Sequence, residues 1–403
     1  MQVSLESKRY TTNYLLYKFI DNSYLGKDGK IREELKYRIV NPVFKIQDSK
    51  FLKKTEDKFE TLLFLSPNSK RVAEGGLRTK GFFKFSYKLI ENRWYMCDID
   101  GNPVIPVPEE IQKKIITYLS DFSLQSGPVS KLPLITIVTV VLNGADLIEE
   151  TIRSVIEQNY PNVEYIIVDG GSTDGTVDII RKYENFIDYW VSEPDRGIYD
   201  AMNKALDVST GYIINFLNSG DKFYDQNVLL KVFSEYSKIP EDQFDIIYGK
   251  CVGVDMYGNT IYMLIRSEKE AIPMLKKGMS IPHQTTFYKL TFFKRQGKYS
   301  TDYKISADYE ILLRSYRSLK VMFIDEILSV VLVGGVSERK IFKEIFEFMR
   351  AKIRNRKELG LGFSQIFIDF LYQFWFYTKR EIKMVVKDFI KSILKKLGIK
   401  LGK

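Results

Sequence analysis

The chain has 403 residues, 45% hydrophobic and 28% charged, the composition of a soluble globular protein with room for about two or three domains. Two cysteines without a CxxC pair and a single histidine exclude a disulfide scaffold and argue against a zinc centre of several His or Cys ligands. The net charge of +10 lies almost wholly at the end. From Ile341 to Lys403 there are 15 Lys and Arg against 6 Asp and Glu, which points to an anionic partner, a membrane surface or nucleic acid.

In chain order, Met1–Arg9 has no apolar stretch, so a signal peptide is not expected. Residues 1–130 predict a separate mixed α+β module. Alternation over Tyr37–Ile46 predicts strands, and Cys97–Val104 reads as a hairpin turn between two strands. Pro108–Leu119 predicts a short helix with proline near its start, and Ser123–Ser130 a linker. Over residues 131–338, strands and helices alternate. Strands are expected at Ile135–Leu142, Val163–Val168, Ile187–Val191, Tyr212–Leu217 and Phe244–Tyr248. Helices are expected over Asp146–Gln158, Ser172–Tyr183, Ile198–Val208 and Gln226–Tyr236. This alternation predicts an α/β fold with a largely parallel sheet. Ligands of such sheets bind outside the carboxyl ends of the strands. Three of those ends carry Asn143, Asp169 and the run Asn218-Ser-Gly-Asp221, which together outline a polar pocket. Residues 339–403 predict a helical, aromatic, basic tail. Its apolar run Ile366–Tyr377 contains Asp369 and Gln373 and is too short to span a bilayer. Glu381–Leu397 alternates apolar residues with Lys at helical spacing, the pattern of a helix lying in the headgroup plane.

Three segments taken together, Ile135–Asn143, Ile166–Thr176 and Ser192–Lys204, resemble glycosyltransferase family 2 in order and spacing. The resemblance covers about half the chain, from Leu134 to Ser337. It implies a GT-A fold, a Rossmann-like, mostly parallel sheet flanked by helices. It also implies inverting transfer of a hexosyl or N-acetylhexosaminyl group from a nucleotide-sugar, a UDP-sugar foremost. The implied acceptor is a glycan or a polyprenyl-linked glycan, as in assembly of a capsule, O-antigen or exopolysaccharide. A fainter echo, at Glu74–Gly81, precedes the catalytic region in some relatives.

The resemblance also assigns roles. Asp169 would accept the imide N–H of the nucleotide base; an Asx-turn is the alternative. The β-edge at Val141 and Asn143 would hold the base, although Asn143-Gly144 would serve equally as plain turn chemistry. Asn218–Asp221 stands where the family places its metal motif. Asn218 and Gly220 replace two carboxylates there, leaving Asp221 to hold Mg²⁺ or Mn²⁺ with phosphate oxygens and water. Asp308 would be the general base, or else a residue that stabilises the start of its helix. Glu310, two helix positions on, should point elsewhere. His283 would lie near the acceptor or diphosphate, or be an ordinary structural histidine. Arg196 would reach the diphosphate or be a surface charge, and Asn203 would order its loop or contact the donor. Arg314 and Arg317 faintly resemble the arginines of processive members. The tail would hold the protein peripherally on the inner, cytoplasmic face of a membrane, or instead mediate oligomerisation or domain packing. Nucleic acid is not the expected partner. The rival expectation is a non-catalytic nucleotide-sugar or glycan-binding protein with a degenerate transferase domain.

Overall fold

The computed structural model describes residues 15–18, 25–32, 62–97, 101–126, 130–255, 257–333, 341–375 and 378–379. Ahead of the main alternation stand β1 (Ala73–Gly75), β2 (Ser86–Ile90), β3 (Arg93–Cys97), β4 (Pro103–Pro106), α1 (Glu109–Ser126) and β5 (Lys131–Leu132). The β/α run follows as β6 (Ile135–Val141), α2 (Ala145–Ile156), β7 (Val163–Asp169), α3 (Thr176–Lys182), β8 (Tyr189–Ser192), α4 (Ile198–Val208) and β9 (Ile213–Phe216). Next come β10 (Lys222–Phe223), α5 (Val228–Lys238), β11 (Ile246–Val254), β12 (Thr260–Leu264) and α6 (Glu268–Met274). The order closes with β13 (Phe287–Lys289), α7 (Leu290–Gln296), α8 (Ala307–Arg314), β14 (Val321–Leu332) and α9 (Ile341–Arg354).

β6 and β7 are buried at every position, as unbroken apolar runs in a sheet covered on both faces must be. Alternate residues feed two cores. Val138, Val140, Ile166 and Val168 face one cluster with Met202 and Leu206 of α4, while Ile135, Ile137 and Ile167 face another with Ile148 and Ile152 of α2. At the centre of the sheet, β8, β7, β6 and β9 pair in that order, all parallel. Antiparallel β1 extends one side, and β13, β11, β14 and β10 extend the other. The strand order reverses between β6 and β9, which opens a crevice at their carboxyl ends. The α/β architecture is the one the sequence predicts.

Among the described residues ahead of β6, β4, β3, β2 and β5 form a four-stranded sheet of their own, whereas β1 joins the main sheet. β1 pairs with β8, and the run Glu74–Gly81 docks onto β7. Gly76 has φ +98°, and a Cβ there would meet the carbonyl oxygens of Ile187 and Asp188 at 2.8 Å, so only glycine permits the approach. Arg78, 2% exposed, forms an ion pair with Glu164 of β7 and donates to the carbonyls of Leu63 (3.1 Å) and Val208 (2.7 Å). Lys84 pairs with Asp188 at 2.8 Å, equally buried. β3 and β4 pair antiparallel around the predicted hairpin. α1 runs on through Ser126, so the first half of the expected linker is helical: apolar Ile111, Ile115 and Leu119 hold it against the β2–β5 core.

α9 likewise packs on the body of the fold. The rings of Phe348 and Tyr309 of α8 lie 4.3 Å apart. Residues 363–375 form a further helix. No helix of the described residues is long and apolar enough to cross a membrane. The strands expected over Tyr37–Ile46 and the interfacial helix expected over Glu381–Leu397 lie outside the described residues.

Candidate active site

The crevice between the ends of β6 and β9 is a cleft of about 900 Å³, within the size range of small-molecule sites. Val141, Leu142 and Asn218 line it from the strand ends, His283 from a 3₁₀ turn (His283–Thr285), and Asp308 from the first turn of α8. Of the residues singled out in the sequence, four therefore meet there: Val141, Asn218, His283 and Asp308.

Asp308 is the second residue of α8 and is partly exposed to the cleft. Its Oδ1 accepts a hydrogen bond from the Tyr199 hydroxyl at 2.8 Å, and that hydroxyl also lies against the carbonyl of Ile305. Burial first, and the Asp308 charge second, push the Tyr199 phenol well above its usual range, so it stays protonated as a donor. Tyr288 and Tyr299 are raised by burial and by the same carboxylate. Glu310 turns away as expected and pairs with Arg314 at 2.6 Å. Arg314 also donates to the carbonyls of Gln296 and Lys298, and Arg317 to those of Lys357 and Glu358, so both brace loops.

His283 stacks on Phe216 with ring centroids 5.9 Å apart. Burial lowers its pKa, outweighing the opposing pull of Asp308, so the ring is neutral near pH 7. Both ring nitrogens and Asn218 Oδ1 are buried without a hydrogen-bond partner among the described residues. Unpaired buried polar atoms cost stability, and three of them lining one cleft mark where a polar ligand would be satisfied.

Asp221 is buried beneath the same turn and is absent from the cleft lining. Burial pushes its carboxyl up to about 7, opposed by hydrogen bonds from the Gln284 side chain and the Leu332 backbone. Among the described residues no group of three or more His, Cys, Asp or Glu could hold a metal. The turn does offer one carboxylate and the unpaired Oδ1 of Asn218. Of these two oxygens only that of Asn218 belongs to the cleft lining, and a hard cation there would take its remaining ligands from water and a diphosphate.

The other expected residues lie elsewhere. Asp169 is 0% exposed, and its carboxylate closes its own loop. Oδ2 accepts from Gly171 N (3.1 Å), Ser172 N (2.9 Å) and Ser192 Oγ (2.6 Å), and Oδ1 accepts from Ser172 Oγ. This is the Asx-turn alternative: four donors from the chain occupy the oxygens that a base would need. Asn143, at φ +51°, accepts from Thr173 N at 3.0 Å and donates its own N–H to Ser172 Oγ at 2.7 Å. It stitches the β6 and β7 loops together. Arg196 is an exposed charge paired with Asp200 at 2.7 Å. Asn203 clamps the Tyr299 backbone through both its amide groups, at 2.8 and 3.0 Å, and so orders that loop.

Asp195 was not singled out in the sequence, yet it lines the cleft. It lies three residues beyond β8, a fourth parallel strand end at the pocket. Its Oδ1 accepts from Gly197 N at 2.7 Å, and a Cβ on Gly170 would come within 2.5 Å of its Oδ2. Tyr199, Gln284 and Lys304 also line the cleft without a prior signal. Their places depend on which loops the fold brings together.

Residues 136–298 match the family described as Glycosyl transferase family 2. An uncharacterized glycosyltransferase of Mycobacterium tuberculosis is 32% identical over 186 residues, 45% of this chain and 69% of that protein. A PGL/p-HBAD biosynthesis glycosyltransferase of Mycobacterium bovis is 27% identical over 227 residues, 53% of this chain and 83% of that protein. Among solved structures, TarS 1-349 of S. aureus in complex with UDP-GlcNAc aligns at a TM-score of 0.47 and 19% identity, over 60% of this chain and 72% of that one. The family match over residues 136–298 and the 32% identity to the M. tuberculosis relative decide the assignment: the chain belongs to glycosyl transferase family 2 and is a glycosyltransferase.

Proposed function

We propose that the chain transfers a sugar from a nucleotide-sugar, a UDP-sugar foremost, to a hydroxyl of a glycan or polyprenyl-linked acceptor, with inversion. The observation that carries this reading is the Asp308 carboxylate, partly exposed in the cleft, with Oδ1 steadied by a protonated tyrosine. Its other oxygen is left to accept the acceptor hydroxyl. As the hydroxyl oxygen of the acceptor attacks the anomeric carbon, its proton passes to Asp308. The anomeric C–O bond to the diphosphate breaks, and its electron pair leaves on the phosphate oxygen. One displacement inverts the centre. The neutral His283 ring can donate to a phosphate oxygen or a sugar hydroxyl. Val141 and Leu142 offer an apolar wall at the β6 end for the nucleoside, and Asp195 a carboxylate for its hydroxyls. Asn143 and Asp169 act one layer back, holding the loops that shape that end. Asp221 and Asn218 would hold Mg²⁺ or Mn²⁺, which when bound supplies positive charge to the leaving diphosphate.

The relative named for PGL/p-HBAD biosynthesis supports a biosynthetic role, and the reading extends it to cell-surface polysaccharide such as capsule, O-antigen or exopolysaccharide. The tail supports a peripheral place on an anionic lipid surface, the inner face of the cell membrane. Phe363, Phe367, Ile368, Leu371 and Trp375 are exposed on one helix, within the stretch that carries the basic excess. The test is a panel of UDP- and GDP-sugars with Mg²⁺ or Mn²⁺. A raised melting temperature with acceptor-dependent nucleotide release supports the transferase. A raised melting temperature with no turnover on any acceptor favours the non-catalytic binder instead, and no shift with any of them overturns both.

A further inference from the structure

We infer that Glu347, on α9, is a positioning residue for Asp308. The inference rests on reading Asp308 as the general base. Glu347 is 7% exposed, and three consecutive backbone amides converge on its carboxylate. Lys304 N lies 2.9 Å from Oε1 and 3.1 Å from Oε2, Ile305 N lies 2.9 Å from Oε2, and Ser306 N lies 3.0 Å from Oε2. These amides lead directly into α8, whose second residue is Asp308.

The start of a helix leaves N–H groups that need acceptors. Ser306, at the N-cap position, makes no side-chain cap bond, and its Oγ is buried without a partner among the described residues. The Glu347 carboxylate, from another helix, instead takes the amides that lead into α8, of which Ser306 N is that of the N-cap residue. Bonds to a carboxylate are shorter and stronger than neutral ones, and a negative charge at a helix N-terminus is favourable. Glu347 therefore fixes the 304–306 backbone from which α8 starts.

That backbone is coupled to the base from a second direction. The carbonyl of Ile305 lies against the Tyr199 hydroxyl, and the same hydroxyl holds Asp308 Oδ1 at 2.8 Å. Glu347 holds the amide of Ile305 while Tyr199 bridges its carbonyl to Asp308. A shift of Ile305 would move the base by both the peptide chain and the phenol. Lys304, the first amide of the three, also lines the cleft, and its Nζ donates to the carbonyl of Arg196 at 3.0 Å. The family match ends at residue 298, ahead of both Asp308 and Glu347. On this reading the first helix of the tail is part of the catalytic apparatus.

The test compares Glu347→Gln, Glu347→Asp and Asp308→Asn in the full chain, measuring kcat for transfer and donor affinity by calorimetry. Gln keeps the shape but loses one acceptor oxygen and the charge, and its amide hydrogens would face the backbone donors. Asp keeps the carboxylate one methylene short. Misplacing a catalytic group by about 1 Å can cost roughly 100-fold, so Glu347→Gln should lower kcat about 10- to 100-fold with donor affinity within about threefold of wild type. Glu347→Asp should recover part of the loss and stay below the wild-type kcat, a split that a merely structural role would not produce. Wild-type kcat in Glu347→Gln, beside an inactive Asp308→Asn, overturns the inference and leaves the base assignment standing. Loss of donor binding in step with kcat overturns it as well. Wild-type transfer by Asp308→Asn removes the base itself. If Glu347→Gln yields no folded protein, Glu347→Asp decides: a lower kcat at unchanged donor affinity supports the inference, and unchanged kcat overturns it.

Discussion

Replacing Arg78 by Met tests how the N-terminal segment is held. The guanidinium pairs with Glu164, donates to the carbonyls of Leu63 and Val208, and reaches Thr210 Oγ1 at 3.4 Å. Met preserves the apolar stem and removes every donor. Glu164, 2% exposed, would keep only Thr136, the Thr210 hydroxyl and the Thr210 amide. Burial by itself raises the Glu164 pKa; Arg78, followed by the hydroxyls of Thr136 and Thr210, more than reverses this and holds it below the ordinary glutamate value. Removing one partner of such a pair typically costs about 3–5 kcal/mol. The sign of the pH dependence follows. Without Arg78 the folded-state pKa of Glu164 rises above the unfolded value of about 4.3, so the variant loses stability as pH climbs from there toward neutral. Urea unfolding followed by Trp fluorescence measures this, since Trp190 is buried in β8 beside the docked Gly75. The expected deficit at pH 7.5 is about 3–5 kcal/mol, narrowing below about pH 5, and partly relieved in Arg78→Met/Glu164→Gln because the orphaned charge is gone. A deficit under about 1 kcal/mol, or strict additivity in the double variant, would refute the reasoning.

Three further outcomes are expected. Tyr199→Phe removes the hydroxyl that steadies Asp308; a hydrogen bond to a charged group is worth about 1.5–3 kcal/mol, so kcat should fall about tenfold or more with donor affinity kept, and an unchanged kcat counts against the arrangement. Burial depresses the His283 pKa, so the folded chain resists a proton that the unfolded chain accepts, and stability should drop as pH falls below about 6.5. His283→Gln should lose that part of the acid sensitivity, whereas equal changes in urea midpoint between pH 8 and pH 5 for the two proteins would contradict it. Phe367→Ser/Leu371→Ser/Trp375→Ser should abolish flotation with anionic lipid vesicles while sparing transfer to a water-soluble acceptor; unchanged flotation would remove the lipid-surface reading.

The central strands were legible because β6, β7 and β9 are short apolar runs that end in turn residues, and α4 runs over Ile198–Val208 as its apolar spacing predicts. β11 extends six residues beyond the expected Tyr248 because it pairs with the 12-residue β14, a partner distant in sequence. The carboxyl-end crevice could be placed, but not the use made of each side chain within it. Asp169 and Asn143 spend their oxygens on the β7 loop, and Asp195 enters the cleft only because Gly170 leaves room for it. Glu347 and Arg78 had no local signal at all. Each is an ordinary charged residue until the fold sets it against three amides or a buried carboxylate. The Glu74–Gly81 run now has a physical account, as the dock that carries Arg78 onto β7.

The central claim is that Asp308 takes the acceptor proton. Its most direct test is single-turnover transfer by Asp308→Asn, with donor affinity measured on the same preparation. Asn keeps the size and the hydrogen bond to Tyr199 but cannot accept the proton. The account predicts a rate lower by about 100- to 10,000-fold with donor affinity within about threefold of wild type. Transfer at the wild-type rate would contradict it.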